Sequence, residues 1–176
     1  MQRVRGKIYN RDRSKQTYDF SGLCFGNITP TDIDMLIEYK NRAYVILEIK
    51  YGDAKLPAGQ DLALTRLTDD LEHSGKSTLC IIASHETSNC NEDIDTAKTV
   101  VRSYRYKGHW WRDWGVSITS KELIDFFFQD TAIDSYKLGE FIALKHKKAE
   151  LKLEASPLLE MKNKYYKEEM FNYKEE

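Results

Sequence analysis

Thr31-Asp32-Ile33-Asp34-Met35-Leu36-Ile37-Glu38-Tyr39, then Lys40-Asn41-Arg42, then Ala43-Tyr44-Val45-Ile46-Leu47-Glu48-Ile49-Lys50 is the stretch that decides the fold. Ile33, Met35 and Ile37 share one parity, and Asp32, Asp34 and Glu38 the other. From Ala43, the apolar residues Val45, Leu47 and Ile49 again alternate against Glu48 and Lys50. Period two means strands, and the polar triplet between them reads as a hairpin loop. With Tyr39 opposite Ala43, Leu36 faces Ile46, Asp34 faces Glu48 and Asp32 faces Lys50. A one-residue slip would put apolar and charged residues on one face, so this register is the expected one. All four charges then project from one face, and the other face is wholly apolar.

Like charges directly opposed across strands destabilise a sheet. Two carboxylates about 5 Å apart repel by roughly 3 kcal/mol at an effective dielectric of 20. A hard divalent cation would offset that repulsion, because Mg²⁺ takes carboxylate oxygens and keeps several waters. A water of lowered pKa is a ready nucleophile, and Lys50 beside it could orient it or offset developing charge. Taken alone, the Glu48-Ile49-Lys50 triplet is equally a strand salt bridge, with Lys50 paired to Asp32 or Glu48.

Working outward, Leu23 to Ile28 reads as a short strand stopped by Pro30. Residues 1–17 are basic, with too little apolar content for a helix. After the hairpin, Gln60, Leu64, Leu67 and Leu71 mark a helix from Pro57 to Gly75. Thr78 to Ser84 is a nearly continuous apolar run, the pattern of a strand buried on both faces. Ser84 to Asp95 is a polar loop, Thr99 to Tyr106 another strand, and Thr119-Ser120-Lys121-Glu122 a capping box opening a helix through Phe128. From about Leu138 the chain reads as helix, broken at Pro157 and highly charged from Lys145 to Glu176. The expected organisation is a basic arm over 1–18, an α/β core over 19–136 and a charged helical extension over 137–176.

The 176 residues suffice for one domain with its own core, and 41% hydrophobic with 31% charged is ordinary globular composition. No apolar run approaches a membrane span of about 20 residues. The first seven residues lack the apolar stretch of a secretory signal. Three cysteines without a CxxC give neither a disulfide framework nor a zinc ribbon, so a reduced, cytoplasmic setting is expected. His85 and Cys90 are two metal-type ligands at irregular spacing, too few for a site. A formal net charge of −1 excludes a uniformly basic nucleic-acid binder and confines any such contact to a local patch.

The segment Pro30-Thr31-Asp32-Ile33-Asp34 followed by Glu48-Ile49-Lys50 resembles the motif of the PD-(D/E)XK nuclease superfamily. The order strand, strand, helix, strand through Ser84 is similar to that superfamily's core. The wording of Asp19-Phe20-Ser21-Gly22-Leu23 and of residues 28–34 looks like that of its small phage-type members. The likeness covers about residues 19–84. It implies a restriction-endonuclease-like fold, a central mixed β-sheet flanked by helices, and cleavage of DNA phosphodiester bonds with Mg²⁺ or Mn²⁺. It implies Asp34 and Glu48 as metal ligands with the backbone carbonyl of Ile49, Asp32 as a further ligand, and Lys50 as the catalytic lysine. Gln60 resembles the glutamine of the RecB-type Gln-x-x-x-Tyr helix, although position 64 is leucine. Thr31 stands between Pro30 and Asp32, so Pro-Asp itself is not met, and the hairpin register favours Asp34 as the motif aspartate. Many members add a glutamate from an N-terminal helix, for which Asp19 is the nearest candidate, with a turn or cap role as its other reading.

Between Lys98 and Trp114, Arg102, Arg105, Lys107 and Arg112 interleave with Tyr104, Tyr106, Trp110, Trp111 and Trp114. Such a mixture suits backbone contact and base stacking. It equally suits a strand with its aromatics in the core and its arginines in water. The expected partner is DNA, with RNA the other candidate. Many relatives cut two strands as homodimers, so the resemblance makes a homodimer one candidate assembly and a phage's host cell one candidate setting, while the sequence itself leaves the assembly open. Fold does not imply function. A nuclease-like fold that binds nucleic acid or protein without turnover is the alternative, and a metal-stabilised structural protein a third.

Overall fold

The computed structural model describes residues 6–112 and 117–129, together with Leu144 and Lys147. The contacts separate residues up to Asp32 from those starting at Ile33. The first unit holds a 3₁₀ turn at Ser21–Leu23 and, where thin apolar content argues against a helix, the single turn α1 (Arg11–Ser14), whose Arg13 N–H donates to Asn10 Oδ1 at 3.1 Å. The strand expected over Leu23 to Ile28 is absent. Phe25 and Ile28 instead close a tight turn through reciprocal backbone bonds of 2.8 and 3.0 Å, with Gly26 at φ +61°. That turn leaves too few residues for a ladder.

Among the described residues the second unit forms a mixed sheet of five strands in the order β1-β2-β3-β4-β5. They are β1 (Met35–Tyr39), β2 (Ala43–Tyr51), β3 (Ser77–His85), β4 (Val100–Tyr106) and β5 (His109–Arg112). Only β2 and β3 run parallel, joined across α2 (Ala58–His73), and α3 (Ser120–Gln129) follows β5. The architecture is therefore α/β, as the sequence pattern implies.

Residues Tyr39 to Arg42 form the turn of the β1–β2 hairpin, with Arg42 N donating to Tyr39 O at 2.9 Å. Lys40 and Asn41 have φ of +50° and +54°, the requirement of a type I′ turn, which asparagine meets readily. The register is the expected one from Tyr39↔Ala43 through Leu36↔Ile46 to Met35↔Leu47. There it stops, so the pairs Asp34–Glu48 and Asp32–Lys50 do not form as ladder positions. The reason is local: Asp34 Oδ2 accepts the Ile49 N–H at 2.7 Å, occupying the donor that a longer β1 would have met through its backbone.

One face of the sheet packs Val45, Leu47, Leu79 and Ile81 against Leu123 and Phe127 of α3, with Met35, Ile37 and Ile49 at its margin. The other packs Ile46, Cys80 and Ile82 against Leu64 of α2, with Leu56, Leu71 and Trp110 around them. β3 is buried on both faces, as its apolar run implies. In α2 the inward residues are Gln60, Leu64 and Thr68, whereas Leu67 is 38% exposed. Thr68 displaces Leu67 from the expected stripe because its hydroxyl is satisfied locally, donating to Leu64 O at 2.7 Å. The helix ends in a Schellman motif, Lys76 N to Leu71 O and Gly75 N to Glu72 O, with Gly75 at φ +82°. The capping box is present: Thr119 N donates to Glu122 Oε2 (3.0 Å), and Glu122 N to Thr119 Oγ1 (3.2 Å). The C-terminal extension and its Pro157 break lie outside the described residues, apart from Leu144 and Lys147.

Candidate active site

Period two puts Ile46, Glu48 and Lys50 on the α2 face of β2. Gln60, in the first turn of α2, comes down on the same face. Lys50 Nζ donates to Glu48 Oε1 at 2.7 Å and to Gln60 Oε1 at 3.1 Å. Glu48 and Gln60 are buried, while the Lys50 side chain is 21% exposed. The site thus has a buried carboxylate at its base and an ammonium reaching its surface.

Asp34 closes it from the hairpin side through the Ile49 N–H. In a strand the N–H and C=O of one residue point the same way, so the Ile49 carbonyl faces the Asp34 side of β2. Asp32 is the last residue of the N-terminal unit, and Asp19 lies in that unit too, where its Oδ1 accepts the Ser21 N–H at 2.9 Å. Asp19 therefore serves a local turn, and that bond lowers its pKa.

Glu48 is electrostatically strained. Burial raises its pKa above the ordinary carboxylate value, and the charge of Asp34 adds to the rise. The hydrogen bond and charge of Lys50 oppose it, with a smaller contribution from the nearby Gln60 amide, without cancelling it. Glu48 Oε2 is buried and has no hydrogen-bond partner among the described residues. An unsatisfied buried carboxylate oxygen costs more than an unpaired neutral group, so such an atom calls for an explanation.

Among the described residues, no three His, Cys, Asp or Glu side chains gather as a metal-holding group. A cation here would rest on two carboxylates, Asp34 and Glu48, with a backbone carbonyl and water completing its shell. That donor set suits Mg²⁺, which is commonly held by one or two carboxylates. The orphaned Glu48 oxygen fits the same requirement.

The basic and aromatic segment is divided between different tasks. Arg105 is buried and forms a two-pronged pair with Asp69 of α2, both bonds 2.8 Å. Tyr104 and Tyr106 are core residues. Arg102 Nη1 donates to Ala54 O at 2.7 Å, pinning the loop that leads from Lys50 to Gln60. The ammonium of Lys107 lies 5.6 Å from the Tyr106 ring and the Arg112 guanidinium 5.5 Å from the Trp110 ring, whose Nε1 donates to Thr65. Trp111 stacks on Tyr104 and is 46% exposed, while Trp114 lies outside the described residues. His85 Nδ1 accepts the Thr87 N–H, Cys90 is exposed, and burial pushes the Cys80 thiol up to about 12.

Two features of the site carry no signal in the sequence. Arg102 as the anchor of the β2–α2 loop depends on a contact 48 residues away. Asp61, next to Gln60, has a buried Oδ1 without a partner among the described residues, and helical position alone does not mark it.

No family model matches the chain, and neither does any curated protein or solved structure.

Proposed function

We propose that this protein is a metal-dependent nuclease that hydrolyses DNA phosphodiester bonds at Asp34, Glu48, Lys50 and Gln60. The observation that carries this reading is Glu48, buried with Oε2 unpartnered between Lys50, Gln60 and the charge of Asp34. Two further points support it. The elements β1, β2, α2 and β3 follow the strand, strand, helix, strand order of restriction-endonuclease-like cores. The site also lies toward the carboxyl ends of the two parallel strands, where open α/β sheets bind ligands.

A divalent cation bound by Asp34, Glu48 and the Ile49 carbonyl would supply Lewis acidity and a water of lowered pKa. The chain's own residues supply orientation and charge. Lys50 Nζ, fixed by Glu48 Oε1 and Gln60 Oε1, presents an ammonium to phosphate oxygens as negative charge builds on them. Gln60 holds that amine without adding charge, so Lys50 keeps a net positive end toward the substrate.

One observation favours a second reading. Among the described residues no three metal-type side chains gather as a group, which suits a nuclease-like fold that binds DNA without cutting it. Purified protein incubated with supercoiled plasmid, linear duplex and branched DNA, in Mg²⁺, Mn²⁺ or EDTA, separates the two. Metal-dependent cleavage lost in Glu48→Ala and Lys50→Ala supports the nuclease. Intact DNA in every lane, with protein folded and still binding, overturns it in favour of the binding module.

A further inference from the structure

At the opposite end of β2 from Glu48 the hairpin turn, the start of β3 and the end of α3 enclose a cavity of about 410 Å³. That volume lies within the range of about 300–1,000 Å³ typical of small-molecule sites. Ala43 and Glu48 stand five positions apart along the strand, roughly 17 Å, so this cavity is distinct from the candidate active site.

Its lining combines two chemistries. Tyr39, Phe127 and Phe128 give it aromatic walls. The Tyr39 and Phe128 centroids lie 5.4 Å apart at 55°, and Phe127 meets Phe128 edge-on at 5.2 Å. Lys40 and Arg42 give it charge. Neither forms a salt bridge among the described residues, and no described acidic side chain lines the cavity. Neighbouring Glu38 directs its Oε1 to the Asn41 N–H.

The cationic rim is also held in place. Lys76 Nζ donates to Asn41 O at 2.8 Å, and Ser77 N to Arg42 O at 2.9 Å. Lys40 Nζ already lies 5.2 Å from the Tyr39 ring centroid. A rim fixed beforehand loses little freedom when a ligand arrives. Ser77, at the foot of β3, adds a neutral hydroxyl.

We propose that this cavity binds an aromatic phosphate, a nucleotide whose base lies against Tyr39 and Phe128 while its phosphate meets Lys40 and Arg42. Planar rings stack on aromatic side chains irrespective of base identity. Arginine pairs with phosphate through parallel N–H donors. The same chemistry is offered by a free mononucleotide and by the phosphorylated end of a nucleic-acid strand.

Calorimetric titration of the full chain tests this, with AMP, adenosine, inorganic phosphate and a 5′-phosphorylated tetradeoxyadenylate as probes. AMP should bind at least tenfold more tightly than adenosine or phosphate. Lys40→Gln and Arg42→Gln should each weaken it about tenfold, and Phe128→Leu severalfold, with circular dichroism unchanged. Glu48→Ala should leave AMP affinity unchanged. Tighter binding of the tetramer identifies a strand end as the ligand, and equal or weaker binding a free nucleotide. No heat with AMP or the tetramer overturns the proposal. So does binding that ignores Lys40 and Arg42, that falls in Glu48→Ala, or that inorganic phosphate reproduces.

Discussion

Lys50–Glu48 and Arg105–Asp69 are both buried or half-buried ion pairs on the α2 side of the same sheet, and they differ in completeness. Arg105 meets Asp69 with two parallel bonds, and both carboxylate oxygens are used. Lys50 meets only Oε1 of Glu48, and among the described residues Oε2 is left without a partner. Burial exceeds what Lys50 and Gln60 return, so the Glu48 pKa stays raised. A satisfied pair holds elements together, here β4 to α2. An unsatisfied one retains free energy that a ligand can release, which is how strain marks functional sites.

The largest expected effect breaks the comparison on the functional side. Lys50→Ala removes the charge that faces the phosphate and should lower the cleavage rate by about 10²–10³-fold, the cost of losing one preorganised donor. Because Glu48 is then left buried without its ammonium, the unfolding midpoint should fall as well, so the rate is compared on folded protein. A Lys50→Ala protein that cleaves at the parental rate would make the pair merely structural.

The next effect breaks it on the structural side. Arg105→Ala strands Asp69, and the cost should be about 2–3 kcal/mol, the lower end of the buried-pair range because Asp69 is 30% exposed. Urea unfolding measures it, and DNA cleavage by the surviving folded fraction should be unaffected. A neutral result in urea would mean that the two bonds contribute no more than an exposed pair.

How legible these two pairs are in the sequence follows from range. Glu48 and Lys50 stand two apart on one strand, so alternation alone aligns them. The hairpin register is readable because the polar triplet Lys40-Asn41-Arg42 sits between two period-two runs and a slip would invert every face. The same alternation misleads at Asp32 and Asp34. It continues in the sequence past the point where the ladder stops, because an aspartate side chain can replace a backbone acceptor at Ile49. Leu67 is expected inward where Thr68 stands for a similar reason, since hydropathy does not show a hydroxyl satisfied by its own helix. β5 hides in the basic and aromatic segment, although Lys107-Gly108, with φ of +48° and +74°, is a turn signal. Asp69 as partner of Arg105 is 36 residues away, and nothing in one chain's spacing announces it.

The smallest effect sharpens the comparison through pH. Folded Glu48 has a raised pKa, so between the ordinary carboxylate value of 4.5 and the folded value the native state holds a proton that the unfolded chain has released. Native proton uptake in that window means that stability falls as pH rises through it. Asp19 and Asp95 shift the other way, each lowered first by a hydrogen bond, and contribute stability that is lost on acidification. Both are common to the parent and to Glu48→Gln, so they cancel in the difference between the two. The parent's stability relative to Glu48→Gln should therefore be highest near pH 4, decline as pH rises, and level off above the folded pKa. The change amounts to about 1.4 kcal/mol for each pK unit of displacement. Urea midpoints taken from about pH 4 to about pH 8 read this directly. A relative stability that climbs with pH would mean that Lys50 and Gln60 outweigh burial, and Glu48 would then belong with Asp69 as a satisfied structural carboxylate.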